Sequence, residues 1–227
     1  MRRPTVLLFD IDGTLVTTGG AGRRAIQRAF EVLHGRPDAC SHFKFGGMTD
    51  RAIARQGLTA IGVEPSDEAI DTLLARYVRV LEEEVARVPD ATYRVHAGMR
   101  EAVAAAHREG MAVGLGTGNI REGARVKLER VGLFSAFSFG GFGDDHELRA
   151  ELIRRGAERG LALLGVREAR VVIIGDTPKD IEAAQAIGAE SIAVTTGGFT
   201  RAQLSAATRV FDTLADEGAL EATLGHR

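Results

Sequence analysis

Short apolar runs and longer amphipathic stretches alternate along most of this chain. The apolar runs have the length of buried strands and lie at 6–9, 111–116, 171–174 and 192–194, with weaker candidates at 137–139 and 210–211. Apolar residues at helical spacing predict helices at 98–109, 121–131, 147–164, 178–187 and 214–224. Strands that alternate with helices predict a parallel sheet covered on both faces. We therefore expect an α/β fold, a Rossmann-like doubly wound parallel sheet.

Residues 23–87 interrupt this alternation, because they carry helical patterns without a strand signal. One helix is predicted from Arg23, a second after Thr49 as its cap, and a third after Ser66. The polar, glycine-rich stretch 17–22 before them is either a hinge or a plain surface loop. We expect an inserted α-helical cap subdomain at 16–94 and an α/β core domain made of 1–15 and 95–227.

Composition narrows the class of protein. The chain has 227 residues, with 29 Lys and Arg against 31 Asp and Glu, so its net charge of −2 gives no reason to expect a nucleic acid or membrane partner. The first residues resemble neither a signal peptide nor a membrane span. Cys40 is the one cysteine, which excludes an internal disulfide and suits a cytoplasmic location. The six histidines lack the spacing of a zinc site.

Two carboxylates follow the first apolar run. Asp10 and Asp12 stand two positions apart, so on an extended chain their side chains face the same side. Like charges this close are unfavourable unless a cation lies between them or one takes a proton, and Mg²⁺ is the usual partner of oxygen ligands. A nucleophile paired with an acid–base group is a second interpretation. Ordinary turn chemistry is a third, since Asp and Gly both favour turns.

Polar residues also follow two later apolar runs. Thr117, Gly118 and Asn119 offer a hydroxyl and amides at a helix start, which suits phosphate oxygens as well as a simple helix cap. Asp176 and Asp180 follow the run at 171–174, where acids also merely favour a helix N-terminus. Because the carboxyl ends of parallel strands meet at one edge, we expect these groups to converge there.

Taken together, these motifs resemble those of the haloacid dehalogenase-like hydrolase superfamily. The stretch DIDGT at 10–14, Thr117 after an apolar strand, and GDTPKD at 175–180 are similar to its first, second and fourth motifs. The helical insert resembles its small cap, and GMTD at 47–50 is similar to a segment of phosphoglycolate phosphatase and β-phosphoglucomutase relatives.

The resemblance implies a role for each matching residue. Asp10 would attack phosphorus and become a phosphoaspartate, and Asp12 would protonate the leaving oxygen and then activate water. Mg²⁺ would be held by Asp10, the backbone carbonyl of Asp12, and Asp176, with Asp180 in support.

The resemblance also implies a place for the phosphoryl group. Thr117 and the amide of Gly118 would bind it, with Asn119 beside them. One departure is the third motif, a lysine, since none occurs between Lys127 and Lys179. We expect Arg149 to take its place, although an arginine fork is not equivalent to an ammonium. A solvated helix arginine is the alternative, and Lys179 is a lesser candidate for the role.

The resemblance thus implies a Mg²⁺-dependent phosphatase that hydrolyses a small phosphorylated metabolite. A phosphomutase and a non-catalytic phosphate-binding module are the alternatives. Arg23, Lys44 and Thr49 are candidate substrate contacts from the cap, but each is also an ordinary surface residue type. The identity of the substrate and the oligomeric state are not predicted.

Overall fold

The first apolar run forms the central strand of a six-stranded sheet in the computed structural model, which describes residues 3–226. The strands of the chain are β1 (Thr5–Phe9), β2 (Val16–Thr18), β3 (Tyr93–Val95), β4 (Ala112–Gly116), β5 (Gly140–Gly141), β6 (Arg170–Gly175), β7 (Glu190–Val194) and β8 (Arg209–Phe211). The large sheet has the order β5-β4-β1-β6-β7-β8, and every neighbouring pair in it is parallel. The predicted α/β fold is confirmed.

The described part of the chain contains helices that cover both faces of this sheet and, early in the sequence, three helices that pack apart from it. They are α1 (Ala21–His34), α2 (Asp50–Ala60), α3 (Asp67–Arg87), α4 (Met99–Arg108), α5 (Arg121–Glu129), α6 (Arg149–Leu164), α7 (Pro178–Ala186) and α8 (Ala219–Leu224). Alternation along β1 decides which face each side chain joins. Leu7 and Phe9 pack with α4, α5 and α8, whereas Val6 and Leu8 pack with α6 and α7.

Helices α1, α2 and α3 share a separate apolar cluster. Phe30, Leu58, Leu73 and Tyr77 are buried in it, and it extends to Val126 of α5. Thr49 caps α2 as predicted, because its hydroxyl accepts a hydrogen bond from the amide of Ala52. The chain enters and leaves this helical segment through β2 and β3, which pair antiparallel and which the sequence analysis did not identify.

Two of the predicted elements are wrong in position. The strand expected at 137–139 is instead Gly140–Gly141, where a Cβ on Gly141 would stand 1.8 Å from the carbonyl oxygen of Leu152. The backbone of α6 therefore packs directly on this strand and demands glycine. The helix expected from 214 begins only at Ala219, because the side chain of Asp216 accepts hydrogen bonds from Thr213 and holds a turn there. Within residues 3–226, no helix is long and apolar enough to cross a membrane.

Candidate active site

Three neighbouring strands deliver the predicted residues to one edge of the sheet. β1 lies between β4 and β6, so the residues that follow these strands start side by side. The amide of Asp10 still donates to the carbonyl of Ile174 at 2.9 Å, which fixes the exit of β1 against that of β6. The amide of Thr117 likewise donates to Gly141 at 3.0 Å. Regular strand pairing therefore places the site.

Asp10, Asp176 and Asp180 form a buried carboxylate cluster at this edge. They are 6%, 3% and 2% exposed, and each offers an oxygen within 4.8 Å of the others. Burial, together with the charge of Asp180, raises the pKa of Asp10 to about 6. Burial and the charges of Asp10 and Asp180 raise the pKa of Asp176 well above its ordinary value. The negative charge of the cluster is therefore only partly neutralised by the residues around it.

The donor set fits a divalent cation that prefers oxygen ligands. All three groups are hard carboxylate oxygens, and a cation between them would offset the repulsion that, together with burial, raises the pKa values of Asp10 and Asp176. The surrounding backbone leaves Asp176 little freedom, since a Cβ on Gly197 would stand 1.6 Å from its Oδ2. The Thr14 hydroxyl donates to its Oδ1 at 2.7 Å. Asp176 is thus held in one orientation, as a metal ligand must be.

Arg149 provides the positive charge that the cluster does contain. Its Nη2 lies 3.0 Å from Asp10 Oδ2 and 2.6 Å from Asp180 Oδ1. Its Nε donates to Asp180 at 2.8 Å. Burial opposes the charged form, but the two carboxylates outweigh it and raise the pKa of Arg149. The residue is 8% exposed, so the alternative of a solvated helix arginine is wrong.

Asp180, the third carboxylate of the cluster, also caps a helix. Its Oδ2 accepts hydrogen bonds from the amide and the hydroxyl of Thr177, which closes a capping box at the start of α7. Lys179, the lesser candidate, packs against Gly47 of the helical segment and does not enter the cluster.

Asp12 lies in a different environment from Asp10. It accepts hydrogen bonds from Lys127 at 2.6 Å, from Asn119 at 2.9 Å and from the Thr18 hydroxyl at 3.4 Å. Desolvation alone would raise its pKa, but the Lys127 ammonium and these hydrogen bonds outweigh it and lower the pKa of Asp12. The two motif aspartates therefore have pKa values shifted in opposite directions.

Lys127 is the residue of this site that the sequence analysis missed. It is 3% exposed, and its ammonium also donates to Asn119 Oδ1 at 2.6 Å. Its position on α5 indicates that it is buried, because it lies on the same face as Ala124 and Leu128. A lysine on such a face needs a partner, and here the partner is Asp12.

The loop after β4 contains Thr117, Gly118 and Asn119, but these residues are not equally accessible. Thr117 is fully buried, and its hydroxyl accepts a hydrogen bond from the Asn119 side chain at 2.8 Å. Gly118 and Asn119 line the cavity described below. A Cβ on Gly118 would stand 2.3 Å from the carbonyl oxygen of Met48, so glycine allows the helical segment to pack on this loop.

Several contacts hold the helical segment over the site. The amide of Asp50 donates to Gly118 at 2.8 Å, and its carboxylate accepts from the amide of Ile120 at 2.9 Å. The guanidinium of Arg55 pairs with Glu147 at 2.7 Å. The loop before α2 therefore lies directly against the carboxyl edge of the sheet.

A cavity of about 330 Å³ remains between the sheet edge and the helical segment. Asp10, Asp12 and Asp176 line it from the sheet, and Arg23, Phe45 and Tyr77 line it from the helices. Of the predicted cap contacts, only Arg23 lines this cavity: Thr49 is buried as a helix cap and Lys44 is exposed elsewhere. Its size suits a small molecule.

Comparison with known proteins agrees with this geometry. The family described as haloacid dehalogenase-like hydrolase matches residues 7–194. The chain is 29% identical to "Probable phosphatase IndB" of Dickeya dadantii, over 89% of this chain and 86% of that protein. It is 26% identical to a phosphoglycolate phosphatase of Pectobacterium atrosepticum, over 84% of this chain and 80% of that protein.

The fold has solved counterparts as well. CbbY from Rhodobacter sphaeroides, solved in complex with phosphate, superposes with a TM-score of 0.72 at 18% identity, covering 97% of this chain and all (100%) of that one. The match of the family over most of the chain and the named relatives agree with the geometry of the site. The chain therefore belongs to the haloacid dehalogenase-like hydrolase family and is an enzyme of its phosphatase branch.

Proposed function

We propose that this enzyme hydrolyses a small phosphate monoester through a phosphoaspartate on Asp10, with Mg²⁺ as its cofactor. The observation that carries the proposal is the contrast between the two aspartates that follow β1. Asp10 belongs to the carboxylate cluster with Arg149, whereas Asp12 faces the cavity beside Lys127. Two carboxylates in different environments suit two different roles.

In the first step, a carboxylate oxygen of Asp10 attacks phosphorus and the bond from phosphorus to the alcohol oxygen breaks. The departing oxygen takes a proton from Asp12. The structure holds Asp12 with a lowered pKa, which disfavours the protonated form that this step needs. An anionic phosphoryl group bound beside Asp12 would raise that pKa again, since like charge disfavours the carboxylate.

In the second step, Asp12 takes a proton from water while the water oxygen attacks phosphorus of the phosphoaspartate. The bond from phosphorus to the Asp10 oxygen breaks, which releases inorganic phosphate and regenerates the Asp10 carboxylate, with the proton left on Asp12. We assign the binding of the phosphoryl oxygens to the loop of Thr117, Gly118 and Asn119 and to the guanidinium of Arg149. The Thr117 hydroxyl, which accepts a hydrogen bond from the Asn119 side chain, keeps its own proton free to donate to a phosphoryl oxygen.

We assign the metal to Asp10, Asp176 and the backbone carbonyl of Asp12, with Asp180 in support. When bound, Mg²⁺ would neutralise the negative charge that gathers as one anion attacks another. The cluster of three buried carboxylates supports this assignment, since one arginine does not neutralise it.

We also propose that residues 16–94 act as a cap on a core formed by 1–15 and 95–227. The cavity lies between the two parts, and a cap that closes over it would exclude water from the first step. A cytoplasmic location stays a prediction from the sequence.

The experiment is an assay of inorganic phosphate released from a panel of small phosphate monoesters, with Mg²⁺ and with chelator. We expect Mg²⁺-dependent release, and its loss in Asp10→Asn with the circular dichroism spectrum unchanged. A phosphomutase would instead return the phosphoryl group to a sugar phosphate and release little phosphate. Undiminished release by the Asp10→Asn variant would refute the proposal.

A further inference from the structure

Within residues 3–226, one cation in the wall of the cavity has no carboxylate partner. Arg149 pairs with Asp10 and Asp180, and Lys127 pairs with Asp12. Arg23 also lines the cavity, yet among residues 3–226 no carboxylate forms an ion pair with its guanidinium. Its contact is with the ring of Phe45, whose centroid lies 3.8 Å from Cζ. The positive charge of Arg23 is therefore not neutralised by the described part of the chain.

Each of the four aspartates that line the cavity in the described part of the chain already pairs with a cation or accepts a hydrogen bond. Asp10 and Asp12 have the partners given above, Asp176 accepts from Thr14, and Asp50 accepts from the amide of Ile120. The side of the cavity that carries Arg23 also holds apolar groups, among them Ile26 and Tyr77. An anion that enters on that side would meet the stacked guanidinium of Arg23, whose charge no carboxylate of residues 3–226 pairs with.

The position of Arg23 in its helix strengthens this argument. It stands in the first turn of α1, where a positive side chain opposes the helix dipole, and that turn contains no acidic residue. Neighbouring ion pairs of the same helix show the contrast, since Arg24 pairs with Glu84 and Arg28 lies near Glu83. Of these three arginines, only Arg23 lines the cavity.

We propose that Arg23 binds a second anionic group, a carboxylate or a further phosphoryl group, on the alcohol part of the substrate. The proposal rests on the proposed phosphatase function and adds the substrate class to it. The planar guanidinium can donate paired hydrogen bonds to either anion. Stacking on Phe45 limits its motion, so little conformational freedom is lost on binding.

Paired substrates test the proposal. We would compare 2-phosphoglycolate with 2-hydroxyethyl phosphate, which carries a neutral hydroxymethyl group in place of the carboxylate. We would also compare propane-1,3-diol bisphosphate with 3-hydroxypropyl phosphate. In at least one of these two pairs, wild-type kcat/KM should be higher for the compound with the second anionic group than for its neutral counterpart. The pair that shows this preference tells whether the second group is a carboxylate or a phosphoryl group.

Arg23→Gln should lower kcat/KM for that anionic substrate by about 10- to 100-fold, the value of a charge-assisted hydrogen bond. It should change kcat/KM for the neutral partner by less than about threefold, and Arg23→Lys should restore part of the loss. Arg28→Gln is the matched control on the same helix, and it should leave both substrates unaffected. Equal loss for both members of a pair, or no loss, overturns the proposal.

A binding measurement separates this proposal from the phosphatase function. In Asp10→Asn protein, calorimetry should show weaker binding of the anionic compound when Arg23 is also replaced by Gln, and unchanged binding of the neutral one. If this selectivity is present but wild-type protein releases no phosphate, the proposed hydrolytic function is refuted and the binding of a second anion by Arg23 is supported. If phosphate is released but neither kcat/KM nor binding depends selectively on Arg23, the subsite fails.

Discussion

Replacing Arg149 with alanine should expose how strongly the carboxylate cluster depends on one guanidinium. The side chain is 8% exposed and contacts both Asp10 and Asp180. Removing one partner of a buried pair leaves the other charge uncompensated and typically costs about 3–5 kcal/mol. We expect a loss of this size in the free energy of unfolding at pH 7.5 in the presence of chelator.

The same loss should become smaller in mild acid. Arg149 lowers the pKa of Asp10, so its removal lets Asp10 take a proton at higher pH than in the wild type. Protonation below about pH 6 removes the uncompensated charge. Urea denaturation at pH 7.5 and pH 5 should therefore show a destabilisation that falls by about half in acid. Phosphate release at pH 7.5 should fall at least about 100-fold, since phosphoryl transfer depends on such charge stabilisation.

Arg154→Ala is the matched control for this variant. Arg154 lies on the same helix but is exposed, and within residues 3–226 its ion pair is with Glu151 at 3.4 Å. Its replacement should cost less than about 1 kcal/mol and leave activity intact. A loss below about 1 kcal/mol for Arg149→Ala, or full activity in that variant, would refute the reasoning and the third-motif assignment.

Three further substitutions test other parts of the site. Lys127→Met should lower kcat about tenfold or more and move the limb of the pH–rate profile that Asp12 governs to higher pH, since Lys127 lowers the pKa of Asp12; an unmoved limb would separate Lys127 from catalysis. Asp176→Asn should raise the Mg²⁺ concentration for half-maximal phosphate release at least about tenfold, measured by titration; an unchanged value would remove Asp176 from the metal site. Burial raises the pKa of Asp50 to about 6, so its charge costs stability above that pH and nothing near pH 4. Asp50→Asn should therefore raise the free energy of unfolding of metal-free protein at pH 8 by about 1–2 kcal/mol, with the gain lost near pH 4; a gain that is independent of pH would contradict this.

The sheet and the convergence of the three motifs could be predicted because both follow from local pattern. Apolar runs of strand length fix β1, β4 and β6, and parallel pairing brings the residues after them together. The pattern therefore predicts that Asp10, Asp176 and Asp180 lie near one another, and the structure places them within 4.8 Å.

Features that depend on tertiary contact could not be predicted in this way. Gly140 and Gly141 have no intrinsic preference for a strand, and they form one because they pair with β4 while the backbone of α6 packs against Gly141. β2 and β3 have three residues each, too few for a periodic signal. In the sequence, Lys127 looks like an ordinary exposed lysine of a helix. Its role becomes visible only in the fold, which brings Asp12 and Asn119 beside it.

Chemical trapping of the phosphorylated enzyme tests the central claim most directly. Turnover with a small phosphate monoester and Mg²⁺ would be stopped by rapid quench, and the protein would be reduced with borohydride and digested for mass spectrometry. An acyl phosphate is reduced to an alcohol, so an intermediate on Asp10 becomes homoserine at that position. We predict homoserine at position 10 and none at Asp12 or Asp176. Homoserine at either of those positions, or active turnover without homoserine at position 10, would contradict the account.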